Sequence, residues 1–222
     1  MNTTPLVIEA VVDDAERATL EATAEQLGEC LKAATGALWP VEVRFHPTIE
    51  AIVPPNRPTI VIASLLPDVL RTDESLAQIE ARWRKGLAAL TGEFLGVFVC
   101  TVFRCVAPTA QRRRAESTPD IAERIRRVNL LAAELSHDSG VGVIDIDRVF
   151  THIGARELGT DYRQTGAMAA DVAAHAIVSG VIAIALDDVI PPDAQHRAKR
   201  FHGDLAKLAT FVLSSRRREA GS

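Results

Sequence analysis

Several side chains in this sequence could act together on a polar substrate. Asp13 and Asp14 follow one β-branched run, Ser64 falls near the end of another, and His152 and Asp161 stand in a polar stretch further on. A hydroxyl, an imidazole and a carboxylate are the groups that acyl transfer uses: a nucleophile, a base that takes its proton, and a group that orients the base. His152 is the histidine best placed to serve as that base. Asp13 and Asp14 could instead hold a cation or a polar substrate. Arg163 and Arg156 could hold an anion, because a guanidinium makes two parallel bonds to a carboxylate or phosphate. Each has a structural alternative. Aspartate is favoured as a helix N-cap, a lone serine commonly serves a turn, and Arg163 and Arg156 could pair with Asp161 and Glu157. Asp145 and Asp147 flank Ile146, so on a regular strand both would point to one face.

These groups need elements to position them. Leu6 to Val12, Val41 to Phe45, Thr59 to Leu65, Gly96 to Val106 and Val141 to Ile146 read as strands. Thr59 to Leu65 is almost continuously apolar and β-branched, which fits a central parallel strand covered on both faces. Apolar residues at helical spacing predict helices over Ala15 to Ala34, Asp73 to Leu90, Ser117 to His137, Gly166 to Leu186 and Ala194 to Leu213. Asp13 or Asp14 caps the first helix, Gly36 ends it, and Thr72 or Asp73 caps the second. Pro54, Pro55 and Pro58 keep the segment after His46 irregular. Alternating strands and helices imply a doubly wound parallel sheet with right-handed crossovers. His152 and Asp161 then fall in the loop after the fifth strand, at the edge where such sheets bind ligands. A single domain is expected over 1–213, followed by a disordered basic tail over 214–222.

Composition excludes some classes. The chain has 222 residues, 47% of them hydrophobic, and a formal net charge of −4, so it carries no global basic field for nucleic acid. The arginine clusters at Arg112 to Arg114, Arg124 to Arg127 and Arg216 to Arg218 read as solvated faces or tail. Cys30, Cys100 and Cys105 lack CxxC spacing, and Cys100 and Cys105 would face opposite sides of one strand. They read as buried free thiols in a reducing compartment. A zinc site would need more ligands at closer spacing. His196 and His202 form no HExxH pattern. No metal and no cofactor are expected. The first residues lack the basic start of a secretory signal, so the expected location is cytoplasmic. Met168 to Leu186 is the most apolar segment. Its alanines, Asp171 and His175 make it a buried core helix, and no membrane span is expected.

The stretch from Val128 to Gly166 contains Asn129, the run VGVIDI, and Asp161-Tyr162-Arg163-Gln164 just before Gly166. It resembles the last block of the SGNH, or GDSL, hydrolases. The resemblance covers most of the chain by topology and particular residues over about 125–185. It implies a flavodoxin-like, five-stranded parallel sheet in a three-layer sandwich. It also implies an Asp-x-x-His motif, in which Asp161 takes the aspartate's place and Gln164 the histidine's. The family's Gly-Asp-Ser block falls on Val12-Asp13-Asp14, which puts Asp14 where the nucleophilic serine belongs. Its Gly-x-Asn-Asp block falls after the third strand, where Ala63-Ser64-Leu65-Leu66-Pro67-Asp68 has no asparagine.

Glutamine cannot act as a base, and a carboxylate attacking a carboxylic ester would yield an anhydride. The expected function is therefore non-catalytic. The chain reads as an SGNH-hydrolase-like protein that binds a small polar ligand or a protein partner, with Asp13, Gln164 and Arg163 as ligand contacts. A homo-oligomer is compatible with this reading. The alternative is an active ester hydrolase with a displaced set, Ser64 or Asp14 with His152 and Asp161. A receiver-like interaction module is a third class. It is disfavoured because no aspartate stands at Ala63 or Ser64 to accept a phosphoryl group.

Overall fold

The β-branched runs form five strands: β1 (Leu6–Val11), β2 (Val41–Phe45), β3 (Thr59–Ser64), β4 (Gly96–Cys100) and β5 (Gly142–Ile144). All neighbouring strands are parallel, in the order β2-β1-β3-β4-β5. The helices are α1 (Arg17–Thr35), α2 (Leu66–Leu70), α3 (Leu76–Leu90), α4 (Ile121–Ser139), α5 (Ile146–Ile153), α6 (Ala155–Leu158), α7 (Ala167–Ile184) and α8 (Pro192–His202). The computed structural model describes residues 4–53, 55–90, 94–106, 121–204, 207–210 and 212. The expected helix start at Ser117 to Asp120, the Arg112 to Arg114 cluster and the basic tail lie outside those residues. The doubly wound parallel sheet is the one that the alternation of strand and helix patterns predicts, and its five-stranded, flavodoxin-like order is the one that the resemblance implies.

Successive strand residues point to opposite faces, and both faces are covered. Leu6, Ile8, Ala10, Ile60, Ile62, Phe98 and Ile144 pack with residues of α1, α7 and α8. Val61, Ala63 and Val99 pack with Ile79, Trp83 and Leu87 of α3 and Ile125, Val128 and Leu135 of α4. This double cover is why the central strands read as continuous apolar runs. Helix α7 is long and apolar enough, by length and composition, to cross a membrane. In this fold its Val172, Ile177, Val178 and Val181 belong to the core.

Several expected boundaries move, each for a local reason. β4 stops at Cys100 and does not run on to Val106, because β5 ends at Ile144 and offers no further partner after the Thr101 N–H bond to the Ile144 carbonyl. Asn129 of α4 then takes over the pairing. Its Oδ1 accepts the Val102 N–H at 2.8 Å and its Nδ2 donates to the Val102 carbonyl at 2.7 Å. Asp145 and Asp147 therefore do not lie on a strand. Asp145 caps α5 by accepting the Arg148 N–H, and Asp147 holds the Arg104 backbone and guanidinium. Cys100 and Cys105 likewise do not share a strand. Helix α3 starts at Leu76, with Ser75 and Gln78 bonded reciprocally in place of a cap at Thr72 or Asp73. The last helix ends at His202, with Gly203 following at φ 82°, and a further helical stretch covers 207–210. Arg124 is buried, not solvated: it donates to the carbonyls of Asp68, Arg71 and Glu74.

Two packing features yield predictions. Gly142 lies beside Phe98 on the neighbouring strand, and a Cβ there would sit 2.7 Å from the ring of this fully buried residue. Gly142→Ala should therefore destabilise the protein by about 1–3 kcal/mol in urea unfolding. His175 of α7 stacks on His202 at the end of α8, with ring centroids 3.8 Å apart. The His202 Nε2–H donates to the His175 carbonyl at 2.9 Å, and Cys30 of α1 lies 3.6 Å from His202 Nδ1. Burial, aided by the neighbouring ring, pushes the His175 imidazole down to about 4. The folded state thus binds fewer protons than the unfolded chain, and stability should fall as pH drops from about 6.5 towards 4. Denaturation of wild type and His175→Phe should differ by roughly 2 kcal/mol more at pH 4 than at pH 7.5, with the variant spared the acid loss.

Candidate functional site

At the carboxyl edge of the sheet, the winding reverses between β1 and β3, which is where open α/β sheets form a ligand crevice. A cavity of about 320 Å³ lies there, walled by Val12, Asp13, Asp14 and Ser64 with Glu50 and Trp83 among the other lining groups. Its walls come from the end of β1, the turn after β2, the end of β3, and helices α2 and α3.

The β1 side is built by a capping box. Asp13 has extended backbone and caps a 3-10 turn at Asp14–Glu16, accepting the Ala15 N–H at 3.0 Å. Glu16 reaches back, and its Oε2 accepts the Asp13 N–H at 3.0 Å. This reciprocal pairing satisfies two donors at the helix start. The other carboxylate oxygen of Glu16 accepts the Ser64 hydroxyl at 2.6 Å. Ser64 Oγ in turn accepts the Leu66 N–H at 3.1 Å. Glu16 is 5% exposed and Ser64 2%. Burial pushes the Glu16 carboxyl up to about 7, opposed by its bonds to Ser64 and the Asp13 backbone.

The far wall is held by Asp68. Its two oxygens accept from Arg82 and from the Trp83 indole N–H, each at 2.6 Å. Arg82 also pairs with Glu74 at 2.8 Å. Trp83 therefore stands at the crevice with its polar edge satisfied and its apolar body in the core.

The expected site residues divide into two groups. Asp13, Asp14 and Ser64 all line the crevice. Asp14 is exposed and paired with Arg17 at 2.8 Å. His152, Asp161, Gln164 and Arg163 are not among the crevice-lining residues. His152 is exposed in the last turn of α5, not in a loop, and makes no hydrogen bond with Asp161, Ser64 or Asp14. Asp161 accepts the Arg163 N–H at 3.0 Å. The Arg163 guanidinium lies over the Tyr162 ring rather than on Asp161. Gln164 is buried in left-handed backbone at φ 56°, with its side-chain Nε2 unpartnered. Among the described residues no group of three or more His, Cys, Asp or Glu side chains could hold a metal ion. Glu16 is the site residue that the sequence reading passes over. Its spacing from Asp13 carries the capping signal, but its partner Ser64 lies 48 positions away.

No protein-family profile matches the chain, and no curated protein matches it significantly. Solved structures do. An acetyl xylan esterase from Geobacillus stearothermophilus superposes with a TM-score of 0.59 at 13% identity, covering 82% of this chain and 96% of that one. A second acetyl xylan esterase gives 0.58 at 15% identity, covering 79% and 99%. An α/β hydrolase from the metagenome of Lake Arreo gives 0.51 at 13% identity, covering 81% and 96%. The chain has the fold of the SGNH hydrolases.

Glu16 generates a stability prediction opposite in sign to that of His175. Its folded pKa lies above the usual 4.5, so its contribution is largest at low pH and is lost as pH rises from about 4.5 through 7. Glu16→Gln should gain on wild type by roughly 3 kcal/mol between pH 4.5 and pH 8, measured by urea unfolding at each pH.

Proposed function

We propose that this chain keeps the SGNH-hydrolase framework and its crevice but not the family's ester-hydrolysing cycle, and that it binds a small polar ligand as an accessory or scaffold protein. The observation that carries this reading is Gln164. The sequence resemblance puts it in the place of the family's histidine, and in the fold it is buried in left-handed backbone and does not line the crevice. A glutamine amide cannot take a proton from a nucleophile at neutral pH. Asp14, which the resemblance puts in the place of the family's serine, is exposed and paired with Arg17. The crevice meanwhile offers carboxylates at Asp13, Asp14 and Glu50 beside the apolar Val12, Ile49 and Leu70, a lining suited to a polar ligand with an apolar part. Three free cysteines suit work in a reducing compartment.

Steady-state hydrolysis of p-nitrophenyl acetate tests the reading. Wild type and His152→Ala should both turn over no faster than buffer once the first equivalent of product has been released. Sustained turnover that His152→Ala abolishes would restore the hydrolase reading with a displaced base.

A further inference from the structure

Ser64 and Glu16 form a contact that helix capping does not require. The capping bond uses Glu16 Oε2, and the Ser64 hydroxyl donates to the other oxygen, Oε1. We propose that Ser64 is an acyl acceptor and Glu16 its base, so that the crevice captures one acyl group from an activated ester and holds it. The proposal rests on the reading that the crevice is a ligand site without the family's catalytic set.

The geometry meets the first needs of a nucleophile–base pair. Ser64 ends the central strand and is one of the residues that line the crevice, which brings its hydroxyl to the wall of the ligand cavity. The hydroxyl proton already points at the carboxylate, 2.6 Å between oxygens, within the range for a general base and the proton that it takes. Glu16 is fixed from behind by the Asp13 N–H. Its burial moves its proton affinity towards neutral pH, where an ordinary glutamate is too weak a base.

The step balances as follows. Ser64 Oγ attacks the carbonyl carbon of the ester, and its proton passes to Glu16. The tetrahedral adduct collapses, the bond from carbon to the leaving oxygen breaks, and a phenol or alcohol departs after taking that proton. The products are an O-acyl serine, the free alcohol and an ionised Glu16. Release of the acyl group would need a water activated beside that ester. His152 makes no hydrogen bond to the pair, and among the described residues no imidazole is bonded to Ser64 or Glu16 to activate that water.

The test treats the intact chain with p-nitrophenyl acetate and follows nitrophenolate release, intact mass and peptide mapping. One equivalent of nitrophenolate per chain should appear in a burst, with one acetyl group on the peptide containing Ser64. The burst rate should rise through about pH 7, following Glu16 ionisation. Glu16→Gln should slow acylation about 100-fold or more and flatten that profile. Ser64→Ala should lose the labelled site, and the mapped wild-type peptide gives the same information if that variant folds poorly. Acetyl found only on lysines, cysteines or the amino terminus overturns the proposal, as does an unchanged rate in Glu16→Gln. Sustained turnover lost in Ser64→Ala overturns the capture step, and sustained turnover lost in His152→Ala overturns the functional reading beneath it.

Discussion

The buried hydrogen bond between Ser64 and Glu16 ties together the two strands that frame the crevice. It joins the capped start of the helix after β1 to the last residue of β3, across the point where the sheet reverses its winding. A buried carboxylate is costly unless its oxygens are paired. Here both are: one by the Asp13 N–H and one by the Ser64 hydroxyl. Ser64 Oγ also receives the Leu66 N–H, so the link extends into α2 and from there to the Asp68, Arg82 and Trp83 wall. One buried carboxyl group thus stands behind two walls of the cavity.

Much of the framework is legible in the residues. β-branched runs mark β1 and β3, Asp13 marks a helix start, and Gly36 at φ 74° marks its end. These signals are local, because each depends on backbone preference or on spacing within a few residues. The misread features depend on distant partners. Asp145 caps a helix because β5 is short, which the apolar run around it does not reveal. Arg124 sits in a cluster that reads as solvated, yet three carbonyls from another part of the chain draw it inward. His152 lies in a helix, since Asp145 starts that helix where a strand was expected to continue.

The site follows the same rule. Asp13, Asp14 and Ser64 are found where strand ends of a parallel sheet should place them, and the structure gathers them around one cavity. Gln164 and Asp161 belong to a loop outside the crevice lining, tied instead by the Tyr162 N–H to the Cys105 carbonyl. Glu16 enters through a tertiary contact alone. A shared fold at 13–15% identity fixes where the strand ends converge and not which side chains stand there, in keeping with the principle that function resides in sites grafted on folds.

The central claim concerns one carboxyl group, and it can be observed directly. Carbon-13 NMR of side-chain-labelled glutamate, with the Glu16 resonance assigned by its loss in Glu16→Gln, reports its ionisation against pH. A titration midpoint near 7 is predicted from the buried contact with Ser64. A midpoint near the ordinary 4.5 would mean that Glu16 is solvated and that the Ser64 contact does not organise the crevice.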